Sequence, residues 1–393
     1  MTDETAAIRV TGCQPGSRVT IQADLADGGG HPWTSEAEFV ADSSGAVDLS
    51  TQAPVKGSYR EVSAMGLIWS MRPTSKDVHI YQQQPSLGAQ IINFHLLIDG
   101  KEVAGAQLNQ TVLRGGVQQI HLDGALHGVL FVPPSAGKHP GILVVGGSEG
   151  GMPLRRAAWL ASHDYVALAL CYFRCEGTPP ILENIPLEYF GKALGWLAQR
   201  PEVLPDRLAV MGTSRGGELV LQLGSMFPQI KAVVAYVPAN VRYPSCCQRQ
   251  PLATWTWNGQ PLDWAGKMNK GDVNAMWRAA IPVEHIHGPV LLIGGQDDLV
   301  WPSAEMVDAI NSRLRDNHFA YQIVKLTYPH AGHRAGMPEI IPAWHNAVPN
   351  SLGNNFTAYG GTPEGNAASS LDAIPKVLEF LRTNLAVSPA AGN

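Results

Sequence analysis

Residues 210–219 constrain the fold more than any other part of the chain, because they have the pattern of a buried strand that turns sharply into a helix. Their centre, residues 212–216, has the sequence Gly-Thr-Ser-Arg-Gly. Glycine has no Cβ, so the chain can turn tightly there and expose the serine. The following helix would bring its positive N-terminal end and the backbone N–H of Arg215 beside that serine. The stretch therefore predicts Ser214 as a nucleophile, although the pattern alone also fits a plain glycine-rich turn.

A candidate acid follows the serine in the sequence. A serine hydroxyl needs a base within hydrogen-bond reach, and the base needs an acid that fixes its tautomer. The apolar segment 289–293 predicts a strand, and Asp297 and Asp298 lie in the loop after it. We predict Asp298 as the acid because it lies three residues past Gly295, where glycine-led loops of hydrolases carry it. Asp297 is expected to cap the next helix or to face solvent.

A candidate base comes later still, after a strand predicted at residues 321–326. Two histidines compete for the role, His330 and His333. We predict His333, because the small residues Ala331 and Gly332 before it leave room for the imidazole to approach the serine. His330 is expected to pack or to hydrogen-bond locally in the loop. The order nucleophile, acid, base is that of the α/β-hydrolases.

A second glycine-rich loop, residues 146–151, follows an apolar strand predicted at 141–145. Such a loop supplies the second backbone donor of an oxyanion hole. We predict the N–H of Ser148 as that donor, with Gly147 as the next candidate and as a residue that contacts substrate, and the N–H of Arg215 as the first donor. The loop lacks the Lys-Ser/Thr pair of a phosphate-binding P-loop.

Composition excludes several kinds of partner. The formal net charge is −5 over 393 residues and no basic patch stands out, so we expect no nucleic acid partner. No run of eighteen apolar residues could cross a membrane, and residues 1–5 have no signal-peptide pattern. His285 and His287 lack Cys or carboxylate neighbours at ligand spacing, so we expect exposed loop histidines, no metal and no cofactor.

The five cysteines are odd in number and scattered, which favours a reduced, cytoplasmic location. Cys171 closes a predicted buried strand and is expected to pack as a small apolar side chain. Cys246 and Cys247 are adjacent and could form a redox pair, but two ordinary loop thiols are the simpler interpretation.

Two regions differ in their periodicity. Residues 1–122 have short alternating segments and turn residues, which predicts an all-β sandwich. Residues 123–393 alternate strands with helices, which predicts a mostly parallel sheet with helices on both faces. A tryptophan-rich stretch at about 240–285 is predicted as a lid-like insertion. In it, Trp255 and Trp257 either line a substrate pocket or simply pack.

These residues together resemble the acyl-CoA thioesterases that share ancestry with bile acid-CoA:amino acid N-acyltransferase. The resemblance extends over nearly the whole chain. It is carried by residues 57–59, 65–71, 185–190, 212–219, 295–298 with Trp301, 328–329, 332–333 and 360–363 with Asp372. It implies an immunoglobulin-like N-terminal domain, an α/β-hydrolase C-terminal domain, a small-molecule acyl thioester as substrate, and a triad of Ser214, Asp298 and His333.

The nucleophile separates two activities within that family. The bile acid-conjugating enzyme carries cysteine, whereas the thioesterases carry serine, so Ser214 favours hydrolysis over transfer to an amine. An acyltransferase that uses an amine or alcohol, an esterase or peptidase, and a non-enzymatic binding module remain alternatives. The residues predict neither the length of the acyl group nor the oligomeric state.

Overall fold

The computed structural model describes residues 1–122, 124–245, 252–265, 273–346, 348–349 and 356–386. It divides into two compact units, one formed by residues 1–112 and 336–374 and the other by residues 113–335 and the chain from 375 onward. The sequence places the boundary later, after residue 122. The difference arises because the alternating pattern of residues 118–122, typical of the first unit, belongs to a strand at the edge of the second unit's sheet.

The first unit is an antiparallel β structure. Its elements are β1 (Arg9–Val10), β2 (Arg18–Ala26), β3 (Pro32–Val40), β4 (Val47–Asp48), β5 (Lys56–Gly57), α1 (Gly66–Trp69), β6 (Arg72–Pro73), a 3-10 turn (Pro85–Leu87), β7 (Gln90–Ile98), β8 (Lys101–Gln110), β20 (Val348–Pro349) and β21 (Phe356–Thr357). The main sheet has the strand order β5-β3-β2-β7-β8, with β6 also paired to β3, and β1 pairs with β4. Alternate residues of β2 are buried, as expected for a sheet with one face on a core.

The second unit is an α/β structure with an eight-stranded sheet. Its strands are β9 (Gln118–Leu122), β10 (His127–Val132), β11 (His139–Val145), β12 (Val166–Cys171), β14 (Val203–Thr213), β15 (Ile230–Tyr236), β18 (Val290–Gly295) and β19 (Ile323–Tyr328). They lie in the order β19-β18-β15-β14-β11-β12-β10-β9. The six strands from β19 to β12 are parallel, and β10 and β9 are antiparallel additions. The helices are α2 (Leu154–Ser162), α3 (Leu187–Ala198), α4 (Arg215–Met226), α5 (Val273–Ala279), α6 (Ser303–Asp316) and, from residue 375 onward, α7 (Pro363–Leu385), whose first part belongs to the first unit.

The central strands of this sheet are buried on both faces. Every residue of β12 and of β18 is buried, which is the pattern of a parallel sheet covered on each side. The core around it is formed by large apolar side chains of the strands and helices, and Leu143, Leu168 and Val210 are fully inaccessible. The predicted α/β-hydrolase class is confirmed. In open parallel sheets of this kind, ligands bind at the edge formed by the carboxyl ends of the strands.

The predicted insertion at 240–285 is described in part. It contains β16 (Trp255–Trp257), β17 (Gln260–Pro261), α5 and a 3-10 turn (Val283–His285), and β16 pairs with β13 (Ile185–Pro186). Cys246 and Cys247, for which the sequence predicts ordinary thiols, lie outside the described residues. Within the described ranges, no helix is long and apolar enough to cross a membrane.

One cysteine prediction is wrong. Cys171 is not a lone apolar side chain but forms a disulfide with Cys175, in the loop that follows β12. The strand pattern up to Cys171 correctly indicates burial, but it carries no information about the fold of the next four residues. Cys13, in the first unit, is free and buried.

Candidate active site

Ser214 lies at a sharp corner between β14 and α4. Its backbone has φ +58° and ψ −119°, a region that non-glycine residues rarely adopt and that is often found at functional sites. Two glycines make the corner possible. A Cβ on Gly212 would come within 2.2 Å of the Gly216 carbonyl oxygen, and one on Gly216 within 2.4 Å of the Gly146 carbonyl oxygen. The sequence folds this way because only glycine fits both places.

The three side chains predicted as nucleophile, base and acid meet at this corner. His333 Nε2 lies 2.8 Å from Ser214 Oγ, and His333 Nδ1 lies 2.8 Å from Asp298 Oδ2. All three residues are buried. They come from the ends of β14, β18 and β19, three strands whose carboxyl ends lie at one edge of the sheet. The arrangement can deprotonate the serine hydroxyl, because the acid holds Nδ1 protonated and leaves Nε2 free to accept.

The Asp298 carboxylate is fixed in orientation by the backbone. Its Oδ1 accepts the N–H of Val300 at 2.9 Å and that of Trp301 at 3.3 Å, which leaves Oδ2 for the histidine. The rival pair takes no part in the cluster. Asp297 is half exposed and lies 3.4 Å from the largely exposed His330.

The loop after β11 comes close to the nucleophile. A Cβ on Gly147 would lie 3.2 Å from Ser214 Cβ, so this part of the loop borders the serine directly. The N–H of Gly147 donates to Glu149 Oε1 at 2.9 Å. Ser148 is half-buried in the same loop. Because the Gly147 N–H already has a carboxylate acceptor, Ser148 stays our predicted donor to an oxyanion, together with Arg215 at the first position of α4.

The two tryptophans predicted at the substrate pocket occupy packing positions. Trp255 is fully buried, its indole N–H donates to Glu218, and its ring lies 6.0 Å from that of Tyr172. Trp257 is half-buried and packs edge-on against Phe227. These are contacts of core residues, the alternative that the sequence leaves open.

Sequence reasoning missed a second aromatic group beside the triad. The Trp301 ring lies 5.4 Å from the His333 imidazole, and the Tyr243 ring lies 5.3 Å from that of Trp301. The Trp301 indole N–H donates to the Val237 carbonyl at 3.1 Å. Trp301 stands three residues after Asp298, a spacing that could have indicated it, but nothing in the sequence brings Tyr243 to this place.

No metal centre is indicated in the part of the chain that the structure describes, where no group of three or more His, Cys, Asp or Glu side chains could hold an ion. His285 and His287 are both exposed.

Comparison with known proteins gives the family. The family model for the C-terminal region of BAAT and acyl-CoA thioester hydrolases matches residues 185–387, and the model for their N-terminal region matches residues 3–124. The chain belongs to the BAAT/acyl-CoA thioester hydrolase family. The two matches together span most of both units, and the predictions of this family and of a hydrolase are confirmed.

Individual relatives of the family align over nearly the whole chain. Acyl-coenzyme A thioesterase 1 of Mus musculus is 30% identical over 98% of this chain and 94% of its own length. Acyl-coenzyme A thioesterase 6 of Homo sapiens is 28% identical over the same shares. Among solved structures, a puromycin-hydrolysing peptidase of Mycobacterium tuberculosis gives a TM-score of 0.48 at 13% identity, over 94% of this chain and 54% of that chain.

Proposed function

We propose that this protein hydrolyses an acyl thioester, of coenzyme A or a similar carrier, through an acyl-enzyme on Ser214. The observation that carries the proposal is the hydrogen-bonded series of Ser214 Oγ, His333 and Asp298, with 2.8 Å at each link, in a chain of this family. The relatives named above are thioesterases, which supports the substrate class.

In the first half of the reaction, Ser214 Oγ attacks the thioester carbonyl while His333 Nε2 takes its proton. Asp298 holds the imidazole and stabilises the imidazolium that forms. The N–H groups of Arg215 and Ser148 bind the oxyanion, at the N-terminus of α4 and in the loop after β11. The C–S bond then breaks, His333 returns the proton to the thiolate, and the free thiol leaves.

In the second half, water replaces the thiol. His333 takes a proton from the water, which attacks the acyl-serine ester, and the proton goes to Ser214 Oγ as the acid leaves. An oxygen ester is a good substrate for water, whereas a thioester favours an amine nucleophile. Ser214 therefore supports hydrolysis over transfer, and transfer to an amine or alcohol is the second candidate.

The decisive experiment compares thioesters with matched oxygen esters. The purified protein is incubated with acyl-CoA substrates of short, medium and long chain and with ethyl esters of the same acids, and thiol, acid and alcohol are quantified. We expect equal amounts of thiol and free acid from at least one acyl-CoA, a clear preference over its ester, and loss of turnover in Ser214→Ala. A preference for the oxygen esters, or retention of more than about a tenth of the rate in Ser214→Ala, contradicts the proposal.

The cytoplasmic location expected from the sequence stays a prediction. The disulfide between Cys171 and Cys175 bears on it, because cytosolic proteins of most organisms keep their thiols reduced. Thiol alkylation of the protein in intact cells, followed by mass spectrometry, measures which state the pair has.

A further inference from the structure

The helix that follows the nucleophile carries a buried pair of opposite charges that the proposed reaction does not use. Arg215 and Glu218 are 4% and 0% exposed, and Arg215 Nη1 donates to Glu218 Oε2 at 2.7 Å. Burial raises the pKa of Glu218, and the Arg215 guanidinium opposes this rise. A charge pair of this kind is costly to bury, so its partners indicate what it holds in place.

The hydrogen-bond partners of the ion pair lie in the inserted segment, and the pair bonds both backbone groups of one residue there, Tyr243. Glu218 Oε2 accepts the backbone N–H of Tyr243 at 3.2 Å, and Arg215 Nη2 donates to the backbone carbonyl of Tyr243 at 2.9 Å. Both main-chain polar groups of that residue are therefore held by the helix that begins next to Ser214. Trp255 donates to the other Glu218 oxygen at 2.7 Å, which fixes the carboxylate.

The ring of the clamped residue continues to the catalytic histidine. Tyr243 lies against Trp301 with 5.3 Å between ring centroids, and Trp301 meets the His333 imidazole edge-on at 5.4 Å. Two hydrogen bonds also hold Trp301. Its backbone N–H donates to Asp298 Oδ1, and its indole N–H donates to the Val237 carbonyl. An imidazole held through its two nitrogens can rock about the line that joins them, and a ring packed against it opposes this motion.

We propose that Tyr243 is a positioning residue for His333, acting through Trp301, and that the Arg215–Glu218 pair holds Tyr243 in place for this purpose. The inference rests on the proposed role of the triad. It makes the inserted segment part of the catalytic geometry, because the segment supplies Tyr243 and the nucleophile helix fixes its backbone. Neither Tyr243 nor Glu218 touches the reacting atoms.

The test compares Tyr243→Ala with its matched control Tyr243→Phe, because both retain the backbone groups that the ion pair holds and only the first removes the ring. Two reactions are measured. One is inactivation by a short-chain alkyl fluorophosphonate, which depends on the serine and histidine but not on an acyl pocket, and the other is turnover of a short-chain acyl-CoA. Proton NMR monitors the low-field resonance of the hydrogen bond between His333 Nδ1 and Asp298.

We expect Tyr243→Ala to lower both the inactivation rate and kcat by about 10- to 100-fold, with KM unchanged, and to broaden the low-field resonance. Tyr243→Phe should restore most of each. If Tyr243→Ala leaves the inactivation rate unchanged, or raises KM alone, Tyr243 contacts the acyl chain or only packs, and the proposal is overturned. If the wild-type protein is not labelled at Ser214 at all, the proposed function fails, which is a different result.

Glu218→Gln tests the second part of the proposal, that the Arg215–Glu218 pair holds Tyr243 in place. The amide has only one acceptor oxygen, so either Trp255 loses its acceptor or Arg215 and Tyr243 both do, and in either case the negative charge that pairs with Arg215 is removed. We expect the same loss as in Tyr243→Ala, and no further loss when the two changes are combined, because they act through one path. Additive losses overturn the role of the ion pair. If Glu218→Gln does not fold, the comparison of the two Tyr243 variants still decides the role of the ring.

Discussion

Replacement of Asp298 by asparagine exchanges one carboxylate oxygen for an NH₂ group of similar size, and so changes the protonation of the triad while its shape is kept. Oδ1 of Asp298 accepts two backbone N–H groups, from Val300 and Trp301. The asparagine oxygen must stay on these donors, because a turned amide would oppose N–H to N–H. The amide NH₂ then faces His333 Nδ1, where Oδ2 lies 2.8 Å away in the wild type. Nδ1 becomes an acceptor, and the imidazole proton moves to Nε2.

A protonated Nε2 cannot accept the proton of Ser214, which lies 2.8 Å away. Loss of the correct tautomer with intact geometry costs about 10⁴-fold in kcat in the serine protease that serves as the general example. We expect a loss of that order here, which corresponds to about 5.5 kcal/mol of transition-state stabilisation. Stopped-flow measurement of thiol release from an acyl-CoA gives kcat, and circular dichroism confirms the fold.

Asp297→Asn is the matched control, since the Asp297 side chain is half exposed and lies beside His330 rather than His333. It should keep kcat within about twofold, because its half-exposed side chain faces His330 and not the three catalytic groups, and a surface substitution of this kind rarely disturbs the fold. Equal, small losses in the two variants would mean that neither carboxylate orients the histidine. A large loss in Asp297→Asn alone would transfer the role to that residue.

Three further predictions concern the nucleophile, its turn and the stability of the fold. Ser214→Cys should hydrolyse more slowly, accumulate acyl-enzyme and pass more acyl group to added glycine or taurine, measured as acid, amide and trapped adduct; an unchanged ratio of acid to amide refutes the role of the oxygen ester. Gly216→Ala should lower kcat/KM at least about 100-fold, because its Cβ would come within 2.4 Å of a backbone oxygen, whereas Gly195→Ala, with open space around it, should not; equal rates refute the steric argument. The Arg313 guanidinium, bonded to both Glu284 oxygens at 2.6 Å, holds the pKa of Glu284 below its usual value. The contribution of this ion pair to stability is present above the unfolded-state pKa of Glu284 and is lost as pH falls. Urea unfolding should therefore show Glu284→Gln less stable than wild type by about 1 kcal/mol at pH 7 and nearly equal to it well below about pH 4. A stability difference that does not depend on pH refutes this.

The sequence predicts most of the chemistry because the site is built from local patterns. Gly212, Ser214 and Gly216 form a corner whose requirements are steric and local, so five consecutive residues indicate it. Asp298 and His333 could be chosen over their neighbours because strand ends and small flanking residues decide which side chain can approach the serine. Fold class follows from the same alternation of strands and helices.

What the sequence could not predict depends on contacts between distant residues. Tyr243 packs against Trp301 while Arg215 and Glu218 bond its backbone, and no periodicity in the sequence encodes these contacts. A partner for Cys171 could not be predicted either, since burial of its strand says nothing about the loop after it. Likewise, the sequence could not show that the indole N–H of Trp255 bonds Glu218, a residue on another element.

Isolation of the acyl-enzyme tests the role of Ser214 most directly. The protein is mixed with a limiting amount of a turned-over acyl-CoA, quenched in acid at successive times, digested and analysed by mass spectrometry. We predict an adduct of the acyl mass on Ser214 that forms as thiol is released and decays as free acid appears, and no adduct in Ser214→Ala. Steady thiol release with Ser214 unmodified at every time, or an adduct on another residue that turns over at the catalytic rate, would contradict a serine-bound intermediate.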